Sequence, residues 1–301
     1  MDLPHLHGII PPLATPLRSD GSLDEVALGK LVEFQIKAGV HGLWALGTTA
    51  RFDLLTDEQQ RRAAEVIATA NAGRLPLVAN VSDMGTERTL ARAARLDDLP
   101  YDYYAALPPW YQPMGPGEVA AYFHALADRL ARPLVIYNAP WINNQLSFNQ
   151  LRQLAEHPRI VGCKDVSPSL SRTLEWPLAE RRRMAFSYLH GNDQMATSAT
   201  LGADGFVSAM SVPLPELSVA IWDAARLDDA ARAFRLQIQM TKLTRLTSFG
   251  PMLACIEALC RHRGLLERML PAPLQSLDGE SARRIVDMAE LIGVVPAAAA
   301  A

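Results

Sequence analysis

Eight short apolar runs recur along this chain at intervals of 20–37 residues, each followed by an amphipathic stretch. The runs are Gly8–Thr15, Val40–Gly47, Leu77–Ser82, Tyr103–Leu107, Leu134–Asn138, Ile160–Lys164, Ala185–His190 and Gly205–Met210. Most are continuously apolar rather than alternating, as expected of parallel strands covered on both faces. The stretches between them read as helices. Leu28, Leu31, Val32 and Ile36 fall on one helical face. Ser22 with Glu25, Thr56 with Gln59, and Ser147 with Gln150 have capping-box spacing, and Gly39 suits a left-handed helix end. Repeated strand–helix units require right-handed crossovers and a parallel sheet, and eight of them close naturally into a (β/α)₈ barrel. An open doubly wound sheet is the alternative. It would want a Gly-rich phosphate turn after the first strand, where the sequence reads Pro11-Pro12-Leu13-Ala14-Thr15. From about Pro213 only helical periodicity continues, to Ile292. The reading is a barrel over 1–226 with a helical extension over 227–301, and a frayed alanine tail after Pro296.

At 301 residues and 49% hydrophobic content the chain can bury the large core that such a barrel needs. A net charge of −3, with both signs mixed along the chain, suggests neither a nucleic-acid partner nor a membrane surface. No apolar stretch is long enough to span a bilayer, and Met1–Gly8 does not resemble a secretion signal. Cys163, Cys255 and Cys260 lack metal-ligand or disulfide spacing, which fits a reducing, cytoplasmic setting. His41, His124 and His190 are scattered, and the strand ends carry no His/Asp/Glu cluster, so no metal and no cofactor are expected.

Active sites of such barrels lie at the C-terminal strand ends. Those ends read Thr15, Gly47-Thr48-Thr49, Asn80 with Ser82, Tyr137-Asn138, Lys164-Asp165, Gly191-Asn192-Asp193 and Ser208, and the fourth strand runs into Pro108-Pro109-Trp110-Tyr111. The chain has 29 basic residues, but only four are lysines. Lys30, Lys37 and Lys242 sit in helical patterns, whereas Lys164 ends the apolar Ile160-Val161-Gly162-Cys163 run. Burial there would lower its pKa and free the amine to attack a ketone. The plain alternative is a structural lysine paired with Asp165, although strand neighbours point to opposite faces. Tyr137 could shuttle protons or could be an ordinary core tyrosine. Gly47-Thr48-Thr49 could hold a carboxylate or could be an unremarkable polar turn.

In order along nearly the whole chain, these segments resemble the dihydrodipicolinate synthase / N-acetylneuraminate lyase family of class I aldolases. The resemblance rests on Gly8–Pro16, Gly47-Thr48-Thr49 followed by Leu54–Glu58, Tyr137–Pro140, Val161–Asp165, Gly191–Asp193 and Gly202–Ser208. It implies that Lys164 forms an imine with pyruvate or another 2-oxo acid and that Tyr137 shuttles protons above it. Thr48 would link Tyr137 to Tyr111 of a neighbouring subunit, in a homodimer or homotetramer. Thr48 and Thr49 would hold the carboxylate, with Val207 and Gly191 lining the site.

Three positions depart from the family pattern. The Gly-Glu that usually follows the threonines is Ala50-Arg51; Arg51 reaches either a second substrate carboxylate or solvent. The synthase's arginine after the tyrosine motif is Ile142, beside Trp141, and Ile142 cannot grip a carboxylate. The glycine soon after is Asn144, and Trp110 replaces the first of two tyrosines. The expectation is a Schiff-base lyase, aldolase or dehydratase, whose second partner is a different aldehyde, aromatic or deoxy-sugar-like. The alternatives are the synthase proper and a catalytically silent barrel that binds an oxo acid.

Overall fold

The computed structural model describes residues 5–245 and 249–293. Its elements alternate as the sequence requires: β1 (Gly8–Ile9), α1 (Glu25–Lys37), β2 (Leu43–Ala45), α2 (Asp57–Asn71), β3 (Leu77–Asn80), α3 (Thr86–Ala94), β4 (Tyr103–Ala106), α4 (Pro116–Arg129), β5 (Leu134–Asn138), α5 (Phe148–Leu154), β6 (Ile160–Asp165), α6 (Ser171–Glu175), α7 (Leu178–Arg183), β7 (Ser187–His190), α8 (Met195–Thr200), β8 (Gly205–Phe206) and α9 (Pro215–Arg226). Then come α10 (Ala230–Thr244), α11 (Met252–His262) and α12 (Gly279–Ile292). The strands are all parallel, in the order β1-β8-β7-β6-β5-β4-β3-β2. The ring closes between β1 and β2. There the Trp44 N–H donates to Pro11 O (3.1 Å), the Leu13 N–H to Trp44 O (2.9 Å) and the His41 N–H to Ile9 O (2.8 Å).

All eight expected strands are present, several shorter than the apolar runs. Pro11 and Pro12 have no N–H to donate, so β1 stops at Ile9 although the run continues to Thr15. The second run forms a strand only over Leu43–Ala45, and beyond Gly47 the chain coils into a short 3-10 turn at Thr48–Ala50. The last run gives Gly205–Phe206 and then a second 3-10 turn at Ala209–Ser211.

The capping boxes at Thr56 and Ser147 form as expected. Ser22 does not cap α1. Its hydroxyl donates to Asp20, and Asp24 caps the helix by accepting from the Ala27 N–H at 3.0 Å. A carboxylate one residue before the helix competes better for that amide than a serine three residues back. Gly39 has φ +81°, the left-handed conformation expected of it. No helix of the described residues is long and apolar enough to cross a membrane. The alanine tail lies outside the described residues, as do the first four residues. The α9 helix packs on β1 as the eighth barrel helix, and α10 packs on α8 and α9. From there the chain returns, so that the start of α11 meets the mouth of the barrel.

Candidate active site

Register places the central pair. Tyr137 on β5 is the pairing partner of Lys164 on β6, which in turn pairs with Leu189 on β7. Paired residues share a face, so the Tyr137 and Lys164 side chains both enter the barrel. The Lys164 amine lies 4.1 Å from the centre of the Tyr137 ring and 5.2 Å from that of the Trp44 ring. Burial is the cause that lowers its pKa, from 10.5 to about 7. Such an amine is therefore available as an uncharged nucleophile near neutral pH.

Asp165 is not its partner. The carboxylate points the other way and accepts from Tyr188 (2.7 Å), Arg172 (2.9 Å), the Ser167 N–H (3.0 Å) and Asn138 (3.1 Å). Burial alone would raise the Asp165 pKa. The hydrogen bonds from Tyr188 and Ser167, with the Arg172 charge, outweigh burial and hold it below the usual carboxylate range. The Lys164 amine makes no hydrogen bond or ion pair among the described residues, so the structural-pair alternative has no geometry to support it.

The Tyr137 and Thr48 hydroxyls are 3.1 Å apart. Burial pushes the Tyr137 phenol up to about 12, and the Thr48 bond opposes that rise. Thr48 and Thr49 begin the 3-10 turn. Their backbone N–H groups donate to no backbone acceptor among the described residues, and the buried Thr49 hydroxyl is also without a partner there. The turn therefore offers a set of unspent donors beside the amine.

These groups line one cavity of about 500 Å³, together with Pro12, Trp141, Val166, Gly191, Asn192, Asp193, Val207, Ser208, Met252 and Leu253. Gly191 is needed for its smallness. A Cβ there would lie 2.4 Å from Val166 Cγ2 and 3.3 Å from Lys164 Cε. The Val207 N–H is committed to His190 O, which leaves only the Val207 carbonyl for a ligand. A second cleft of about 430 Å³ is lined by His5, His7, Arg182 and Trp222, next to β1 at the opposite end of the strands.

Several lining residues went unassigned in the sequence. Asp193 is held by the Ser208 hydroxyl at 2.5 Å, and burial raises its pKa despite that bond. Both stood among the strand-end residues, but nothing in the sequence said that they touch. Met252 and Leu253 come from the extension, far along the chain, and carried no signal at all.

Arg51, Trp141 and Ile142 meet at an adjoining cavity of about 320 Å³, which shares Thr48 and Trp141 with the first and adds Phe52, Leu107 and Trp110. Arg51 occupies a left-handed position, φ +53°, and binds Asp53 through two nitrogens (2.6 and 3.0 Å). The Phe52 and Trp110 rings meet edge to face. Tyr111 is separate from both cavities and 71% exposed. Its loop is tied down by two amides. Asn143 donates to the Trp110 and Tyr111 carbonyls, and Asn144 donates to Pro109 O and Gln112 O and accepts from the Met114 N–H.

The sequence profile of the dihydrodipicolinate synthetase family matches residues 5–291. The chain belongs to that family. Among curated members, it is 30% identical to an N-acetylneuraminate lyase of Rhizobium meliloti over 80% of each chain. It is 29% identical to a probable 2-dehydro-3-deoxy-D-pentonate aldolase of Escherichia coli, over 96% of this chain and 98% of the relative. The solved structure of a dihydrodipicolinate synthase from Bacteroides thetaiotaomicron superposes with a TM-score of 0.89 at 28% identity, covering 97% and 100% of the two chains. Family members thus carry synthase, lyase and aldolase names, and the family places this chain among lyases that share one barrel and differ in what they act on.

Proposed function

We propose that this chain is a Schiff-base-forming lyase, an aldolase or dehydratase, acting on pyruvate or a related 2-oxo acid. The observation that carries the reading is Lys164: a buried amine near pKa 7, free of any carboxylate, in the same cavity as the Tyr137–Thr48 hydroxyl pair. The substrate carboxylate sits on the open N–H groups of Thr48 and Thr49, which sets C2 before the lysine. Tyr137 passes the protons of imine formation and of the carbon–carbon or carbon–oxygen cleavage. The solved structure of a family member from Escherichia coli is a complex with pyruvate, which supports the choice of acid. Tyr111 completes the relay from a second copy in a homodimer or homotetramer. The setting is the cytoplasm, which suits the buried Cys163, Cys255 and Cys260.

The second partner enters the adjoining cavity. Its wall sets Phe52, Leu107, Trp110, Trp141 and Ile142 beside the polar Thr48, Asp53 and Asn143, and its cation, Arg51, is paired with Asp53. That favours an aldehyde with an apolar or aromatic body over aspartate semialdehyde, whose carboxylate would meet a cation already neutralised by Asp53. Borohydride reduction in the presence of pyruvate, followed by intact and peptide mass measurement, tests the core of the proposal: the adduct is expected on Lys164. Absence of an adduct with pyruvate and other 2-oxo acids would leave a silent binding barrel. Efficient condensation of pyruvate with aspartate semialdehyde would make the chain a synthase proper.

A further inference from the structure

Imine formation leaves a positive charge on a nitrogen that no carboxylate of the described residues pairs with, since Asp193 in the same cavity is bonded to Ser208. The Lys164 lone pair adds to C2 of the oxo acid, one proton is taken up, and the former carbonyl oxygen leaves as water. The product is a C=N bond whose nitrogen keeps one hydrogen and a positive charge. Asp165 faces away from that nitrogen and is saturated by Asn138, Ser167, Arg172 and Tyr188. What faces it instead is π density: the Tyr137 ring at 4.1 Å and the Trp44 ring at 5.2 Å.

Of the two, Tyr137 has proton work of its own. Trp44 has none. It is fully buried on β2, meets Tyr137 edge to face at 5.9 Å, and its indole nitrogen has no hydrogen-bond partner. The Cδ1 and Nε1 edge of the indole lies under Gly47, where a Cβ would come within 3.1 Å, so the ring is wedged between the lysine and the threonine turn. A desolvated cation over an indole face is attracted by the ring quadrupole, more strongly than by phenylalanine. We propose that the face of Trp44 is the protein's counter-charge for the positive nitrogen of the Lys164 imine. The inference rests on the imine reading above and adds a residue with no assigned part in it.

The test compares wild type, Trp44→Phe and Trp44→Leu. Because the indole N–H makes no hydrogen bond, these changes remove ring face without breaking one. The pyruvate concentration that half-saturates borohydride trapping is expected to rise about 2- to 30-fold in the leucine variant and by less in the phenylalanine variant. A second readout separates charge from packing. Loss of the ring also withdraws support from the lysine's ammonium form, so the acid limb of the trapping rate moves to lower pH. Mere loosening would admit water and move it to higher pH. Unchanged saturation with an unmoved or raised limb overturns the proposal. Where the leucine variant does not fold, the phenylalanine variant alone decides by the same two readouts. Failure of the wild type to form an adduct strikes the imine reading itself, before any variant is compared.

Discussion

Lys164 shows what a single buried charge costs a fold. In the unfolded chain its pKa is near 10.5, and in the native cavity it is about 7. Between those values the unfolded state binds more protons than the native one, so stability rises with pH through that window. Below pH 7 the penalty is at its maximum. Removing the amine with Lys164→Met should therefore stabilise the protein at pH 7, by roughly 3–5 kcal/mol as an upper figure, and flatten the pH dependence between 7 and 10.5. Urea unfolding at pH 7 and pH 10 checks this, and a variant less stable than wild type at pH 7 would show that the site does not strain the fold. Tyr137→Phe keeps the ring over the amine but removes the hydroxyl. Turnover is expected to fall about 10²- to 10⁴-fold, with the Lys164 adduct still trapped at equilibrium; an unchanged rate would remove Tyr137 from proton transfer. At this scale the sequence was informative where chemistry and pattern coincide. A lysine ending an apolar run stands out, and strand alternation already argued against its pairing with Asp165. Trp44 did not stand out, because a tryptophan in an apolar run looks like any core residue until register brings it under the lysine.

Among the elements, the apolar runs located every strand, because residues buried on both faces must be apolar throughout. Their ends were less legible. Proline, turn formation and the closing of the ring cut β1, β2 and β8 short, and those are tertiary events that hydrophobicity does not encode. The loop over Pro109–Met114 is the clearest case of hidden structure. Asn144 looked like a lost glycine in the sequence, yet its amide makes three of the bonds that hold the loop bearing Trp110 and Tyr111. Asn144→Gly, which removes that amide, should loosen the loop. Turnover is expected to drop about 10- to 100-fold, as for a misplaced catalytic group, while trapping on Lys164 stays near wild type. Equal losses in both would place Asn144 in the imine pocket instead.

For the molecule as a whole, the fold class could be read from strand count and spacing, whereas contacts made across the chain could not. The cavity joins side chains from Pro12 to Leu253, and no local pattern links such distant positions. Assembly is the other long-range question. Under the proposal that Tyr111 completes a neighbour's site, Lys164→Ala and Tyr111→Phe chains, each impaired alone, should regain part of the activity when mixed and allowed to exchange subunits, because the second chain then has its own lysine and the first chain's phenol. No recovery on mixing, with exchange verified by mass, would confine Tyr111 to its own chain.

The position of Met252 and Leu253 in the wall of the cavity sets a clock on the protein's maturation. All eight strands, with Lys164 and Tyr137, precede α11 in the order of synthesis. Without Met252 and Leu253 one side of the chamber would stand open to water, and the amine would keep more of the hydration that holds its proton. A chain cut before Met252 would thus own every reactive group and still lack part of the wall that dries the lysine.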